Sequence, residues 1–198
     1  MNKLIFATSN QDKMREVREI LKDLNMEIVS LKEAGIDVDI VEDGQSFEEN
    51  ALIKARVIRD LTGCLVLADD SGLEVDALNK EPGIYSARYM GEDTSYTIKN
   101  TNIINRLAGL EGEERSARFV CAIAAAFPDG TDEVCRGTFE GQIGYEIAGE
   151  HGFGYDPIFY VPEYGCTSAE LLPEQKNAVS HRGKALRMMK DIIGQKNL

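Results

Sequence analysis

Positive charge is scarce in this chain: 22 Lys and Arg stand against 34 Asp and Glu, a formal net charge of −12. Duplex nucleic acid needs clustered Lys and Arg for its phosphates, so neither it nor an anionic membrane surface is an expected partner. No stretch approaches the roughly 20 apolar residues that a spanning helix needs. The opening Met1-Asn2-Lys3-Leu4-Ile5-Phe6-Ala7 has too short an apolar run for a signal peptide and no cleavage pattern, so the expected address is the cytoplasm. The four cysteines, Cys64, Cys121, Cys135 and Cys166, form no Cys-x-x-Cys pair, which argues against a zinc ribbon or a thioredoxin-type motif. Cys64 and Cys121 lie inside apolar runs, where cysteine behaves as a small hydrophobe. No repeat, low-complexity tract or Pro/Ser-rich linker interrupts the chain. Walker A, Gly-x-Ser-x-Gly, His-Glu-x-x-His and EF-hand patterns are absent too, and their chemistries drop out.

What is there is an ordinary globular composition: 198 residues, 43% hydrophobic and 28% charged, enough to bury a core without staples. One continuous domain over 1–198 is the expectation. Leu4–Ala7 reads as a buried strand. Met14, Val17, Ile20, Leu21 and Leu24 follow at helical spacing, with Ser9 or Asn10 as N-cap. Met26–Leu31 reads as a strand. Ser46-Phe47-Glu48-Glu49 is a capping box, with Glu49 reaching back to the Ser46 amide, for a helix ending at Thr62 before Gly63. Leu65–Ala68 reads as a strand ending in Asp69-Asp70-Ser71-Gly72, and Thr94–Leu110 as a helix stopping near Gly109. Phe119–Phe127 and Glu133–Phe139 flank the turn Pro128-Asp129-Gly130-Thr131 as an antiparallel hairpin, and Ala185, Leu186, Met189, Ile192 and Ile193 mark a last amphipathic helix. Early strand–helix alternation followed by a hairpin predicts an α/β protein with a mixed sheet and flanking helices.

Charge is uneven. Residues 176–198 carry six bases against one acid, a net of +5, leaving −17 for the rest. An acidic body with a basic tail suits a metal–anion pair; the plain alternative is a solvated helix face. Four segments can carry chemistry. The turn Thr8-Ser9-Asn10-Gln11-Asp12-Lys13 runs from strand to helix N-terminus and is either a phosphate cradle or an ordinary cap. Glu42 and Asp43 precede the capped helix, while Asp69 and Asp70 end a strand, where crevices open in α/β sheets. Glu42 and Asp70 suit Mg2+, which takes one or two carboxylates plus substrate phosphates; the alternative is that Asp-Asp-Ser-Gly only makes a turn. His151-Gly152-Phe153-Gly154-Tyr155-Asp156-Pro157 offers aromatics for stacking on a base, or is a glycine-rich loop with incidental rings. Lys176, His181 and Arg182 gather directional donors within seven residues.

Together these segments resemble the inosine/xanthosine triphosphate pyrophosphatase family, which removes aberrant purine nucleotides. The resemblance rests on Thr8-Ser9-Asn10 with Lys13, Ser46–Ala51 with Lys54-Ala55, and Ala68-Asp69-Asp70-Ser71-Gly72-Leu73. It continues through Pro82–Tyr89, Phe153-Gly154-Tyr155-Asp156-Pro157 and Lys176–Arg182, in order across nearly the whole chain. Ser9 departs from a position where the family often has glycine. The resemblance implies two lobes around a central cleft, a homodimer, and Mg2+-dependent hydrolysis of non-standard purine triphosphates to monophosphate and pyrophosphate. It implies that Thr8, Ser9, Asn10, Gln11, Asp12 and Lys13 hold the phosphates. Asp70 becomes proton acceptor and metal ligand, with Glu42 as second ligand and Asp43 able to exchange with it. Ser71, Phe153, Gly154, Tyr155, Asp156, Lys176, His181 and Arg182 complete the substrate site. Two rivals are a non-catalytic nucleotide-binding module and a pyrophosphatase for modified pyrimidine nucleotides.

Overall fold

The computed structural model describes residues 3–196. Seven strands form one sheet in the order β2-β1-β3-β4-β5-β6-β7. They are β1 (Lys3–Phe6), β2 (Glu27–Ser30), β3 (Leu65–Val75), β4 (Ser116–Ala126), β5 (Asp132–Ile143), β6 (Phe159–Val161) and β7 (Cys166–Thr167). The helices are α1 (Gln11–Leu21), α2 (Phe47–Thr62), α3 (Tyr96–Arg106), α4 (Pro173–Val179) and α5 (His181–Gln195). Strands β2 and β3 both pair with β1 in parallel, while β6 pairs antiparallel with β5 and with β7. The mixed α/β sheet predicted from the order of elements is therefore what forms. Among the described residues no helix is long and apolar enough to cross a membrane.

Contacts divide the chain into two compact units, each with its own core. The first comprises the described residues up to Asp70, Cys121–Gly137, and those from His181 on. Its core packs Met14, Val17 and Leu21 of α1 and Ala185, Leu186, Met189 and Ile193 of α5 onto Leu4, Phe6, Leu65 and Leu67. The second comprises Ser71–Val120 and Thr138–Ser180, with Leu73, Val75, Ile103, Leu107, Phe119, Phe139 and Phe159 at its centre.

Local sequence explains most boundaries. Asn10 caps α1, its Oδ1 accepting from the Lys13 amide at 3.1 Å. Ser46 Oγ caps α2 through the Glu49 amide at 3.1 Å, and Gly63 ends that helix at φ +67°, where a side chain is strained. Glu49 reaches back to the amide of Gln45 at 2.6 Å, one residue earlier than a standard capping box places it. The predicted helix over Thr94–Leu110 is shorter, Tyr96–Arg106, with Ser95 as N-cap. The largest departure is β3. Asp69-Asp70-Ser71-Gly72 neither ends the strand nor turns; the strand continues through it to Val75, with Leu73 and Val75 fully buried. β1 pairs with β3 over Leu65–Leu67, and β4 is its neighbour on the other side, so strand pairing overrides the turn preference of Asp, Ser and Gly.

Candidate active site

In the first unit, the functional side chains follow from the pleat of β3. Side chains alternate between the faces of a strand, so Leu65, Leu67 and Asp69 share one face and Val66, Ala68 and Asp70 the other. The first face is covered by α1 and α5, which supply Lys13 and Arg182. Asp69 is 3% exposed, and its Oδ2 accepts from Lys13 Nζ at 2.8 Å with Arg182 Nε 3.5 Å away. Burial alone pushes this carboxyl up, but Lys13, then Arg182 and Lys54, outweigh it and hold Asp69 well below the usual carboxylate range. Burial works against the charge of Arg182 as well. Asp69, Cys121 and Glu16 overcome it, raising the guanidinium above its ordinary value, and Arg182 Nη1 lies 3.3 Å from Glu16 Oε2.

The opposite face meets α2. Asn50 and Lys54, four residues apart, fall on one side of that helix. Asn50 Nδ2 donates to Asp70 Oδ2 at 3.1 Å, while its Oδ1 accepts from the Gly44 amide at 2.9 Å. One side chain thus ties Asp70 to the segment carrying Glu42, and Lys54 Nζ pairs with Glu42 at 3.0 Å. Burial pushes the Asp70 carboxyl up to about 6; Lys54 and Asn50 oppose this, while Glu42 and Asp69 add to it. Adjacent carboxylates therefore differ in state: Asp69 is fixed as an anion, and Asp70 is poised to exchange a proton near neutrality.

The turn after β1 lies in the same unit. Thr8 Oγ1 accepts from the Asn10 amide at 3.2 Å, and the Thr8 amide donates to Phe6 O at 2.7 Å. Thr8 is half-buried, and Ser9, Asn10 and Gln11 are exposed at the positive end of α1. The cap and the anion cradle offered as alternatives by the sequence are compatible here. The Asp12 side chain lies outside the described residues. His181 opens α5, as its sequence position suggested. Asp43 is exposed.

In the second unit, Asp156 organises the aromatic segment. It is buried; Oδ1 accepts from Ser168 Oγ at 2.7 Å, and Oδ2 accepts from the Phe153 amide at 2.9 Å and from Lys176 Nζ. Lys176 also lies over the Phe153 ring, 5.4 Å from its centroid, and that ring is 70% exposed. Tyr155 is buried, with its hydroxyl on Ser86 O at 2.6 Å and its ring edge-on to Tyr96. Ser71, half-buried, follows Asp70 along β3.

Reading by sequence missed Asn50, Lys54, Glu16 and Ser168 as partners of the site, and left the role of Asp69 open. For Asn50 and Lys54 a signal existed: an Asn and a Lys at i, i+4 on the first turns of a helix that follows Glu42. Glu16 and Ser168 carry none, because their partners are remote in sequence.

Known proteins resemble this chain along nearly its whole length. A dITP/XTP pyrophosphatase of Clostridium perfringens is 48% identical over 197 residues, covering 96% of this chain and 97% of that protein. A HAM1 protein from Coxiella burnetii has a structure similar at TM-score 0.91 with 41% identity, covering 98% of this chain and 100% of the other. The Ham1 protein of Staphylococcus aureus gives TM-score 0.91 and 40% identity, covering 99% of this chain and 100% of its own. The Ham1 family profile itself matches residues 4–192, from the first strand to the last helix, and the chain belongs to the Ham1 family.

Proposed function

We infer that this chain is a nucleoside triphosphate pyrophosphatase that converts inosine, deoxyinosine and xanthosine triphosphates to the monophosphate and pyrophosphate, clearing non-standard purines from the nucleotide pool. The observation that carries this reading is Asp70: a half-buried carboxylate pushed up to about 6, tied by Asn50 to the Glu42 segment. The name of the Clostridium perfringens relative, dITP/XTP pyrophosphatase, supports the substrate class.

The donor set fits Mg2+. Among the described residues no three His, Cys, Asp or Glu side chains are grouped to hold a metal alone. Mg2+ needs no such cage, since it takes one or two carboxylates, waters and substrate phosphates. Asp70 and Glu42 would hold it, Glu42 exchanging its Lys54 partner for the ion, with Asp43 able to substitute. Held there, Mg2+ would supply positive charge to offset the charge developing on the phosphoryl oxygens.

The chain's own residues supply the rest. Thr8, Ser9, Asn10, Gln11, Asp12 and Lys13 hold the phosphates at the positive end of α1. Asp70 takes the proton of the water attacking the α-phosphorus, a general-base effect of roughly 10²–10⁴ in rate. His181 or Arg182 donates to the 6-oxygen of hypoxanthine or xanthine; adenine has an amino group there, which leaves the donor unpaired. Unpaired buried groups of that kind reject analogues by about 10⁴–10⁵. Phe153 offers an exposed ring for stacking, fixed by Asp156 and Lys176. Ser71, Gly154 and Tyr155 complete the substrate-binding set. A cytoplasmic homodimer, with neither nucleic acid nor membrane as partner, completes the reading.

A substrate panel tests it. Pyrophosphate released from inosine, deoxyinosine and xanthosine triphosphates with Mg2+, and far more slowly from adenosine triphosphate, is expected. Tight binding of all of them without turnover would instead make the protein a nucleotide-binding module. Preference for a modified pyrimidine triphosphate would overturn the base assignment.

A further inference from the structure

The segment that presents Phe153 has every reason to move. Gly152 and Gly154 flank the ring at φ +75° and +66°, and glycine loses more backbone freedom on ordering than any other residue. An aromatic ring exposed on such a stretch stays aimed only if its neighbours are held. Asp156 holds one side through Ser168 and Lys176, and the hydroxyl of Tyr155 is held by Ser86 O. The other hold comes from a helix distant in sequence. Asn100 of α3 is 2% exposed, and its Nδ2 donates to the carbonyl of Gly154 at 3.1 Å. Its Oδ1 is buried and finds no hydrogen-bond partner among the described residues.

That orphaned oxygen is informative. A buried carbonyl without a donor costs stability, so Asn100 is a poor choice for packing alone, where an apolar residue of the same shape would be neutral or better. What asparagine adds, and leucine does not, is the donor to Gly154. Lys99, its neighbour on α3, reinforces the arrangement: it is buried too, with Nζ on Ala87 O at 2.7 Å and lying over the Tyr96 ring that meets Tyr155 edge-on.

We propose that Asn100 is a positioning residue for substrate, fixing the Gly154 carbonyl so that the Phe153 ring is already aimed for stacking before the purine arrives. This rests on the functional reading above and deepens it. Pre-ordering lowers the entropy lost on binding, so it strengthens ground-state and transition-state binding alike and acts on KM rather than kcat.

The test uses two variants, Asn100→Ala and the better-filled Asn100→Leu, with Tm confirming that each is folded. Two readouts are taken: hydrogen exchange of the amides over 151–156 in the protein alone, and steady-state kinetics on inosine triphosphate with Mg2+. Faster exchange and a KM raised about three- to tenfold, the range for one lost hydrogen bond, are expected, with kcat within about twofold. Unchanged exchange, unchanged KM in a folded variant, or a fall in kcat alone would each overturn the proposal. Wild-type protein that leaves inosine triphosphate intact would instead defeat the functional reading, so the two failures are distinguishable.

Discussion

Asp69 and Asp70 are joined by one peptide bond and differ in proton affinity because the pleat sends them to opposite faces of β3. On one face Lys13 and Arg182 compensate burial; on the other, burial outweighs Lys54 and Asn50. The sign of the consequence for stability is unusual for a carboxylate. The folded-state pKa of Asp70 lies above its ordinary value, so its contribution to stability is complete below about pH 4 and is lost as pH rises through about 6. In the metal-free protein at pH 7, Asp70→Asn is therefore expected to be stabilising by about 3 kcal/mol, or roughly 6–12 °C in Tm. The difference should vanish near pH 4. On the proposed reading, in which Asp70 is both metal ligand and base, the same variant should lose turnover by at least about 10³. Thermal melts at the two pH values, beside an activity assay, check both halves. A metal-free Tm that falls at pH 7 would show that Asp70 is not held against its charge.

At the scale of elements, legibility followed the range of the interactions. Helices with strong caps were readable: Asn10 and Ser46 are N-caps in the structure, and α2 ends at Gly63 as its sequence demands. The extension of β3 was not readable from propensity, since four turn-forming residues stand in the middle of a central strand. Its alternation was legible all the same: Leu73 and Val75 resume the buried pattern of Leu65 and Leu67. The short β6, β7 and α4 carry too few residues for a periodic signal to be legible. Of the site, the residues on β1–α1, β3 and α5 were legible as motifs, whereas Glu16, Ser168 and Asn100 act through partners far along the chain. One close approach makes an element-level prediction. A Cβ on Gly137 of β5 would lie 2.2 Å from the carbonyl of His181 and 2.8 Å from the Ala185 amide, both backbone atoms of α5 that cannot swing aside. Gly137→Ala is expected to cost about 1–3 kcal/mol in denaturant unfolding and to lower kcat/KM by shifting His181 and Arg182. Unaltered stability and kcat/KM would mean that α5 is free to slide, and that its register does not place those donors.

Over the whole molecule, the charge asymmetry has a structural account. Of the six bases from Lys176 onward, Lys176, Arg182, Lys190 and Lys196 are ion-paired with acids, while Lys184 and Arg187 are exposed. In the first unit Arg182 pairs with Asp69 and Glu16, Lys190 with Asp23 at 2.6 Å, and Lys196 with Glu133 at 3.4 Å. In the second, Lys176 pairs with Asp156. Much of the tail's charge is thus matched by acids of the body, and −12 overall remains to favour divalent cations over polyanions. Each unit buries its own core; the first also carries the two carboxylates and the N-terminal end of α1, the second the exposed ring of Phe153. On the proposed reading, water attacks the α-phosphorus with Asp70 taking its proton. Hydrolysis of inosine triphosphate in oxygen-18 water, read by the isotope shift in phosphorus NMR, addresses it directly. One labelled oxygen on inosine monophosphate and none on pyrophosphate is expected; label on pyrophosphate, or on free phosphate, would rule out attack at the α-phosphorus.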